Sequence, residues 1–136
     1  RKTKLKKGEF IKSIQIPVPN NNIFKAYKIS KRFDDDISSV CAAFNLSLEK
    51  NKIKKINIAF GGMAEIPKRA RLCENSLLNK ELSEKNFKIA QKFIEKDFNP
   101  INDMRASSIY RIEIAKNLIF KFLIEIKEKK LLRLNV

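Results

Sequence analysis

Side chains suited to catalysis or metal binding are few in this chain. Its 136 residues include no histidine, and its two cysteines, Cys41 and Cys73, lie 32 positions apart without a CxxC pair. A histidine base, a Ser-His-Asp or Cys-His nucleophile and the common histidine-containing zinc sites are therefore excluded. We predict no catalytic residue and no metal site, and we expect both thiols to be free in a reducing cytoplasm.

Two short runs invite a ligand-binding interpretation. Asp34 to Asp36 place three carboxylates in sequence, and hard cations prefer carboxylate oxygens. Three consecutive carboxylates do not face one centre, however, and no EF-hand spacing follows, so we interpret the run as a turn before a strand. The second run is the pair Gly61 and Gly62. The chain has only one other glycine, Gly8, so it can form neither a P-loop nor a GxGxxG loop. A bulged strand end is the favoured interpretation of the pair, with phosphate binding as the alternative.

The charge balance is strongly basic, with 30 Lys and Arg against 15 Asp and Glu and a net charge of +15. Such a surplus is typical of nucleic-acid binders. Here the basic residues are spread along the whole chain, and no arginine-rich or aromatic-interleaved motif occurs. We therefore predict no nucleic-acid partner, and we keep a stand-alone basic binding module as the alternative from another class.

The length and hydrophobic content fit one folded domain, since 136 residues with 43% hydrophobic side chains can bury a single core. No apolar run reaches 18 residues, so no membrane partner is predicted. The basic start of the chain lacks the apolar stretch of a signal peptide. The first residue is Arg1 and not Met, which we interpret as the sign of a segment from a longer chain.

The first half of the chain has the alternation typical of β-strands. We predict strands at residues 10–16, 23–30, 37–48 and 53–61, with Glu49 to Lys52 as a hairpin turn. In the first of these, Phe10, Ile14 and Ile16 share one face. Sequential strands joined by short turns indicate an antiparallel meander.

The second half changes to helical periodicity. Helices are predicted at about 68–79, 84–96 and 107–129, the second capped by Ser83 and the third carrying a broad apolar stripe that includes Phe122. Strands followed by helices predict an α+β fold, with three helices packed on one face of a three- or four-stranded antiparallel sheet. The two arginines near the last helix, Arg105 and Arg111, are expected to bind helix-end carbonyls or to pair with Asp103 and Glu113.

Four stretches, taken together and in order, resemble the C-terminal domain of the flavoprotein part of xanthine dehydrogenases, carbon monoxide dehydrogenases and aldehyde oxidases. Each alone is a weak signal, but the four occur in the family's order and spacing over about residues 9–126. They are 24–37 (FKAYKISKRFDDDI), 59–64 (AFGGMA) with 67–70 (PKRA), 97–101 (DFNPI), and 103–107 (DMRAS) with 110–111 (YR).

The resemblance implies a domain at residues 9–128, between a basic tail at 1–8 and a C-terminal tail at 129–136. It implies one wall of an FAD pocket that is shared with an upstream FAD-binding domain. It also implies that [2Fe-2S] clusters, the molybdenum cofactor and NAD belong to other parts of the complex, namely iron–sulfur domains and a molybdenum-binding subunit. The isolated segment is then not expected to be catalytically competent.

Two residues carry over from the family as flavin contacts. Lys28 matches a strand lysine close to the isoalloxazine ring, where a cation stabilises the negative charge of reduced flavin. Ile11 matches an apolar residue near the flavin. Both have simpler interpretations, Lys28 as a solvated strand lysine and Ile11 as core packing. The resemblance also implies that Asp34 to Asp36 form a loop beside the NAD-facing side of the flavin, where their negative charge tunes its potential. The resemblance favours the xanthine dehydrogenase branch, with hypoxanthine and xanthine oxidised elsewhere in the complex, and leaves aldehyde, nicotinate or carbon monoxide as alternatives.

Overall fold

A computed structural model describes residues 3–16, 22–32 and 36–129. A four-stranded antiparallel sheet comes first, with its strands in chain order, and helices follow. The elements are β1 (Ile23–Ile29), β2 (Val40–Glu49), β3 (Lys52–Gly61), β4 (Lys68–Arg69), α1 (Arg71–Leu77), α2 (Glu84–Gln91), α3 (Ile94–Asp97) and α4 (Ser108–Glu128). This arrangement confirms the predicted α+β fold, in which α1, α2 and α4 are the main helices and α3 is a single turn.

The hairpin of β2 and β3 forms the centre of the sheet. Inward positions on both strands carry large apolar side chains, and Phe44 lies opposite Ile58 in the register. The predicted turn closes the hairpin through Lys50 and Asn51, whose φ angles are +46° and +64°. Two consecutive positive φ angles give the twist that joins antiparallel strands tightly, and asparagine tolerates that conformation.

The helices cover one face of this sheet. Phe122 of α4 is fully buried and stacks on Phe44, with ring centroids 4.6 Å apart. Helix α4 begins where the Ser107 hydroxyl accepts a hydrogen bond from the N–H of Tyr110, and it ends at Lys129 in a left-handed conformation. Among the described residues, no helix has the length and apolar character needed to cross a membrane.

Several predicted boundaries are corrected by the structure. Residues 68–69 form a short strand, because the segment continues along β3 and the N–H of Ala70 still donates to the carbonyl of Ile58 at 2.9 Å. The helix predicted at 84–96 divides into α2 and α3. At the junction, Lys92 and Phe93 donate to carbonyls three residues back, which tightens the chain and ends α2.

The strand predicted at residues 10–16 is wrong for this sheet. These residues have no regular secondary structure and all are exposed, including Phe10, Ile14 and Ile16. The fourth strand of the sheet is instead β4, on the opposite edge from β1. The turn that was expected to follow residues 10–16 includes 17–21, which lie outside the described residues, as do residues 130–136 of the predicted C-terminal tail.

Candidate functional site

Residues from all four stretches that carry the family resemblance line one concavity at one end of the sheet, which we call the motif end. Strand β1 leaves the sheet there at Ile29, β2 enters it at Val40 and β3 leaves it at Gly61. The antiparallel register places Ile29 opposite Val40, and Cys41 opposite Gly61. Segments that are far apart in the sequence therefore meet at a single surface, together with the start of α4.

Arg111 holds the motif end together. Its side chain lies in the first turn of α4 and is 3% exposed. One guanidinium nitrogen, Nη1, donates to the carbonyls of Ser39 and of Gly62, the latter at 2.8 Å, while Nη2 donates to Asp103 Oδ1 at 2.6 Å. A single planar cation thereby joins the entry to β2, the exit from β3 and the loop before α4.

The partners of Arg111 confirm one part of the sequence expectation and correct another. Pairing with Asp103 is confirmed, and Arg105 also contacts that carboxylate at 3.8 Å. The carbonyls that Arg111 binds lie at strand ends, not at a helix end, and Glu113 pairs with Lys116 instead. No sequence signal marks this arrangement, because its hydrogen bonds join residues 49 and 72 positions apart.

Gly62 is required at the motif end for two independent reasons. Its φ of +80° lies in the region that residues with a side chain adopt at a cost. A Cβ at this position would also lie closer than 3.0 Å to the Ser39 carbonyl oxygen and 3.1 Å from Arg111 Nη1. The glycine pair thus ends β3 with a close backbone approach. The register irregularity in the hairpin lies elsewhere, at Ser47 and Leu48.

Asp103 organises the loop that precedes α4. Its Oδ1 accepts the N–H groups of Arg105 at 2.8 Å and Ala106 at 3.1 Å, in addition to Arg111. The Arg105 N–H first, then the Ala106 N–H and the Arg111 guanidinium, hold the pKa of Asp103 below its ordinary value against the opposing effect of desolvation. The carboxylate is therefore ionised while it receives these donors.

Arg111, Asp103 and the carbonyls of Ser39 and Gly62 form what we call the Arg111 cluster. Two concavities of about 480 and 510 Å³ flank this cluster, and Asp103 and Arg105 line both. The larger one also carries Ile37, Ile66 and Ile101, which are 64%, 70% and 71% exposed. Exposed apolar side chains around a charged floor are typical of a surface that receives a ligand or a partner.

Lys28 lies at the same end of the sheet, on the face that the helices leave open. It is exposed on β1, directly opposite Cys41, and Gly61 follows in the same row on β3. The adjacent row consists of Ala26, Ala43 and Ala59 in register across three strands. Their short side chains make this part of the open face shallow, so a planar group beside Lys28 can approach the sheet closely.

The second predicted flavin contact, Ile11, does not line either of the two concavities. It lies in the exposed segment at residues 10–16 and is 67% exposed. Of the acidic run, Asp34 and Asp35 lie outside the described residues, while Asp36 accepts the Arg32 N–H at 3.2 Å and pairs with its guanidinium at 3.6 Å. Within the described part of the chain, no group of three or more potential ligands is placed to hold a metal ion.

Other buried charges support the fold. Glu74 accepts the N–H of Ile58 at 2.7 Å and binds Arg69, which fixes β4 beside β3. Glu125 of α4 accepts the Tyr27 hydroxyl at 2.9 Å and pairs with Lys121 at 3.0 Å. In the DFNPI stretch, Asp97 accepts the N–H groups of Leu72 and Cys73 at the start of α1. Burial, followed by the charges of Asp97 and Glu74, raises the pKa of Cys73 to about 12, so that thiol is inert.

Comparison with known proteins identifies the class of domain. The model of the CO dehydrogenase flavoprotein C-terminal domain family matches residues 25–126, which is most of the chain. This protein belongs to that family.

Individual relatives agree with this assignment. The glyceraldehyde dehydrogenase medium chain of Sulfolobus acidocaldarius is 32% identical over 120 residues, which cover 88% of this chain and 42% of the relative. Xanthine dehydrogenase of Blastobotrys adeninivorans is 31% identical, and the match covers 95% of this chain and 10% of the relative. Quinoline 2-oxidoreductase from Pseudomonas putida 86 shares the fold, with a TM-score of 0.72 at 21% identity over 86% of this chain and 40% of that one. The chain thus spans less than half the length of each of these proteins.

Proposed function

We propose that the motif end of this domain forms one wall of a flavin pocket in a molybdenum hydroxylase, with Lys28 beside the isoalloxazine ring. The observation that carries the proposal is that residues from all four family stretches line one concavity at the end of the sheet where Lys28 is exposed. The residues present fit a flavin ring. The alanine row gives a planar group close access, and Lys28 supplies a cation at its edge.

The same residues do not provide a grip for the pyrophosphate. Such a grip commonly uses a glycine-rich loop, whereas here Gly61 ends β3 and Gly62 follows it with its backbone close to the Ser39 carbonyl. We therefore infer that an upstream FAD-binding domain of the same enzyme holds that part of the cofactor. The other partners in this proposal are iron–sulfur domains and a molybdenum-binding subunit.

When bound, FAD would accept electrons that arrive from the iron–sulfur clusters and deliver them to NAD or oxygen. The contribution of this chain is electrostatic and steric. Lys28 stabilises negative charge on the ring, and the Arg111 cluster fixes the backbone next to it. The link is direct, because the Ser39 carbonyl accepts from Arg111 while the Ser39 N–H donates at 2.8 Å to the carbonyl of Ile29, the residue after Lys28.

Within the family we place the enzyme in the xanthine dehydrogenase branch, acting on hypoxanthine and xanthine in a cytoplasmic complex. The string at residues 31–37 and the match to xanthine dehydrogenase over 95% of the chain support this placement. The similarity to a glyceraldehyde dehydrogenase medium chain supports an aldehyde substrate as the alternative. A panel of purines and aldehydes, assayed with the complete complex, would decide between them.

The test of the flavin proposal is Lys28→Ala in the complete enzyme, with Lys55→Ala as its control. Lys55 is an exposed lysine in register with Ser47, on the same open face but towards the opposite end of β3. Loss of a charge interaction on the order of 1–3 kcal/mol would lower the two-electron flavin midpoint potential by about 20–65 mV. Lys55→Ala should leave it unchanged. Equal potentials in wild type and Lys28→Ala at matched FAD occupancy would remove Lys28 from the pocket.

A second measurement separates this proposal from the basic binding module. The isolated 136-residue chain should bind FAD more weakly than micromolar in a fluorescence titration, because it supplies a wall and not the pyrophosphate grip. A salt-dependent DNA mobility shift, together with a complete protein that carries no FAD, would favour the nucleic-acid function instead.

A further inference from the structure

Residues 10–16, which we call the N-terminal arm, expose an unusual amount of apolar surface. Phe10, Ile11, Ile14 and Ile16 are 79%, 67%, 76% and 81% exposed, so four of seven residues place large apolar side chains in solvent. Single exposed apolar residues are common on protein surfaces, but a contiguous group of this size marks an interaction site.

The order of residues in the arm indicates the kind of interaction. One face of an extended chain would carry Phe10, Lys12, Ile14 and Ile16, and the other face Ile11, Ser13 and Gln15. Three of the four side chains on the first face are large and apolar, against one of three on the second, which favours a strand that buries the first face. A strand also needs partners for its N–H and C=O groups, and within the described residues the arm does not belong to the sheet of this domain.

The comparisons place the arm inside the region shared with a much longer relative. The match to the Blastobotrys xanthine dehydrogenase covers 95% of this chain and so leaves about seven residues unaligned. Nine residues precede Phe10, so the arm lies within the matched region even if all of the unaligned residues are at the start of the chain. The family's domain model, by contrast, begins at residue 25. The arm is thus shared with a much longer enzyme and yet precedes the residues that the family model matches. Most of the chain length of these relatives has no counterpart here.

We propose that the N-terminal arm adds as a strand to the edge of a β-sheet in the flavin-carrying remainder of the enzyme, with Phe10, Ile14 and Ile16 facing that partner's core. The inference rests on the proposed function for the identity of the partner. Main-chain hydrogen bonds would provide the pairing, and the alternate apolar side chains would fix its register. The arm would then connect this domain to the rest of the pocket in a fixed geometry.

The test uses amide hydrogen exchange in the complete protein, with two substitutions at neighbouring positions. We expect the arm amides to be protected at least 100-fold relative to the isolated 136-residue chain. Ile14→Asp, on the apolar face, should abolish this protection. Ser13→Asp adds the same charge on the opposite face and should retain it.

Each failure has its own signature. Arm amides that exchange at the unprotected rate in a protein that contains FAD would overturn this inference alone, and so would equal loss of protection in both variants. A protected arm in a protein without FAD would instead overturn the flavin proposal and keep the strand. Protection that appears in the isolated chain and grows with its concentration would show pairing between two copies, which also contradicts the inference.

Discussion

Replacing Gly62 with alanine tests the Arg111 cluster with an internal control one residue away. At φ +80°, a residue with a Cβ costs about 1–2 kcal/mol, and the new atom would push against the Ser39 carbonyl oxygen. Displacing that carbonyl weakens its hydrogen bond to Arg111, which is worth a further 1–3 kcal/mol or so in a buried site. We expect Gly62→Ala to lower the free energy of unfolding by about 2–5 kcal/mol.

Gly61→Ala is the matched control. Its Cβ would meet only the Cβ of Cys41, at 3.6 Å, which is ordinary van der Waals contact. We expect a change within about 0.5 kcal/mol. Urea denaturation of the 136-residue chain, followed by circular dichroism, measures both variants. If the two midpoints shift equally, the close approach of Gly62, Ser39 and Arg111 does not constrain the fold and the reasoning fails.

Three further substitutions test the interior and the charge cluster. Phe122→Ala removes a fully buried ring stacked on Phe44 and should cost about 3–5 kcal/mol in the same urea assay; a loss below about 1 kcal/mol would contradict its burial. Arg111→Met should cost about 3–5 kcal/mol because it leaves buried acceptors without a donor, whereas Lys116→Met breaks only surface ion pairs and should cost less than about 1 kcal/mol. The folded-state pKa of Asp103 is lowered, so its stabilising effect is complete above the ordinary value of 3.8 and is lost as pH falls below it. Asp103→Asn should therefore flatten the fall in stability as the pH drops below 3.8, and an unchanged acid profile would exclude this role.

The sequence predicts the central hairpin and the long helix because both bury one face along their whole length. The alternation in β2 and the wide apolar stripe of α4 arise from contacts with the same core, which includes Phe44 and Phe122. A periodic pattern of that length has only one interpretation, and the structure confirms it. Strand β4 has no such pattern. Its two residues are a strand only because they pair with β3.

The N-terminal arm shows a different limit of the same reasoning. Alternation at residues 10–16 indicates that one face of an extended segment is apolar, but it does not say which sheet provides the partner. The neighbouring strand in sequence, β1, was the simplest choice, and the structure contradicts it. The Arg111 cluster could not be predicted either, because its acceptors are backbone carbonyls whose positions depend on the whole fold.

These features divide the molecule into parts that can be perturbed separately. Gly62, Arg111 and Phe122 are integral to the domain, so changes there alter the free energy of unfolding before they alter anything else. Lys28 and Ile14 are exposed, and substitutions at such positions ordinarily change stability by less than about 0.5 kcal/mol. A flavin potential that shifts in Lys28→Ala, or an arm that loses protection in Ile14→Asp, while the urea midpoint of the 136-residue chain stays fixed, therefore reports on docking and on the pocket. The isolated chain thus supplies the stability control for each experiment on the complete enzyme.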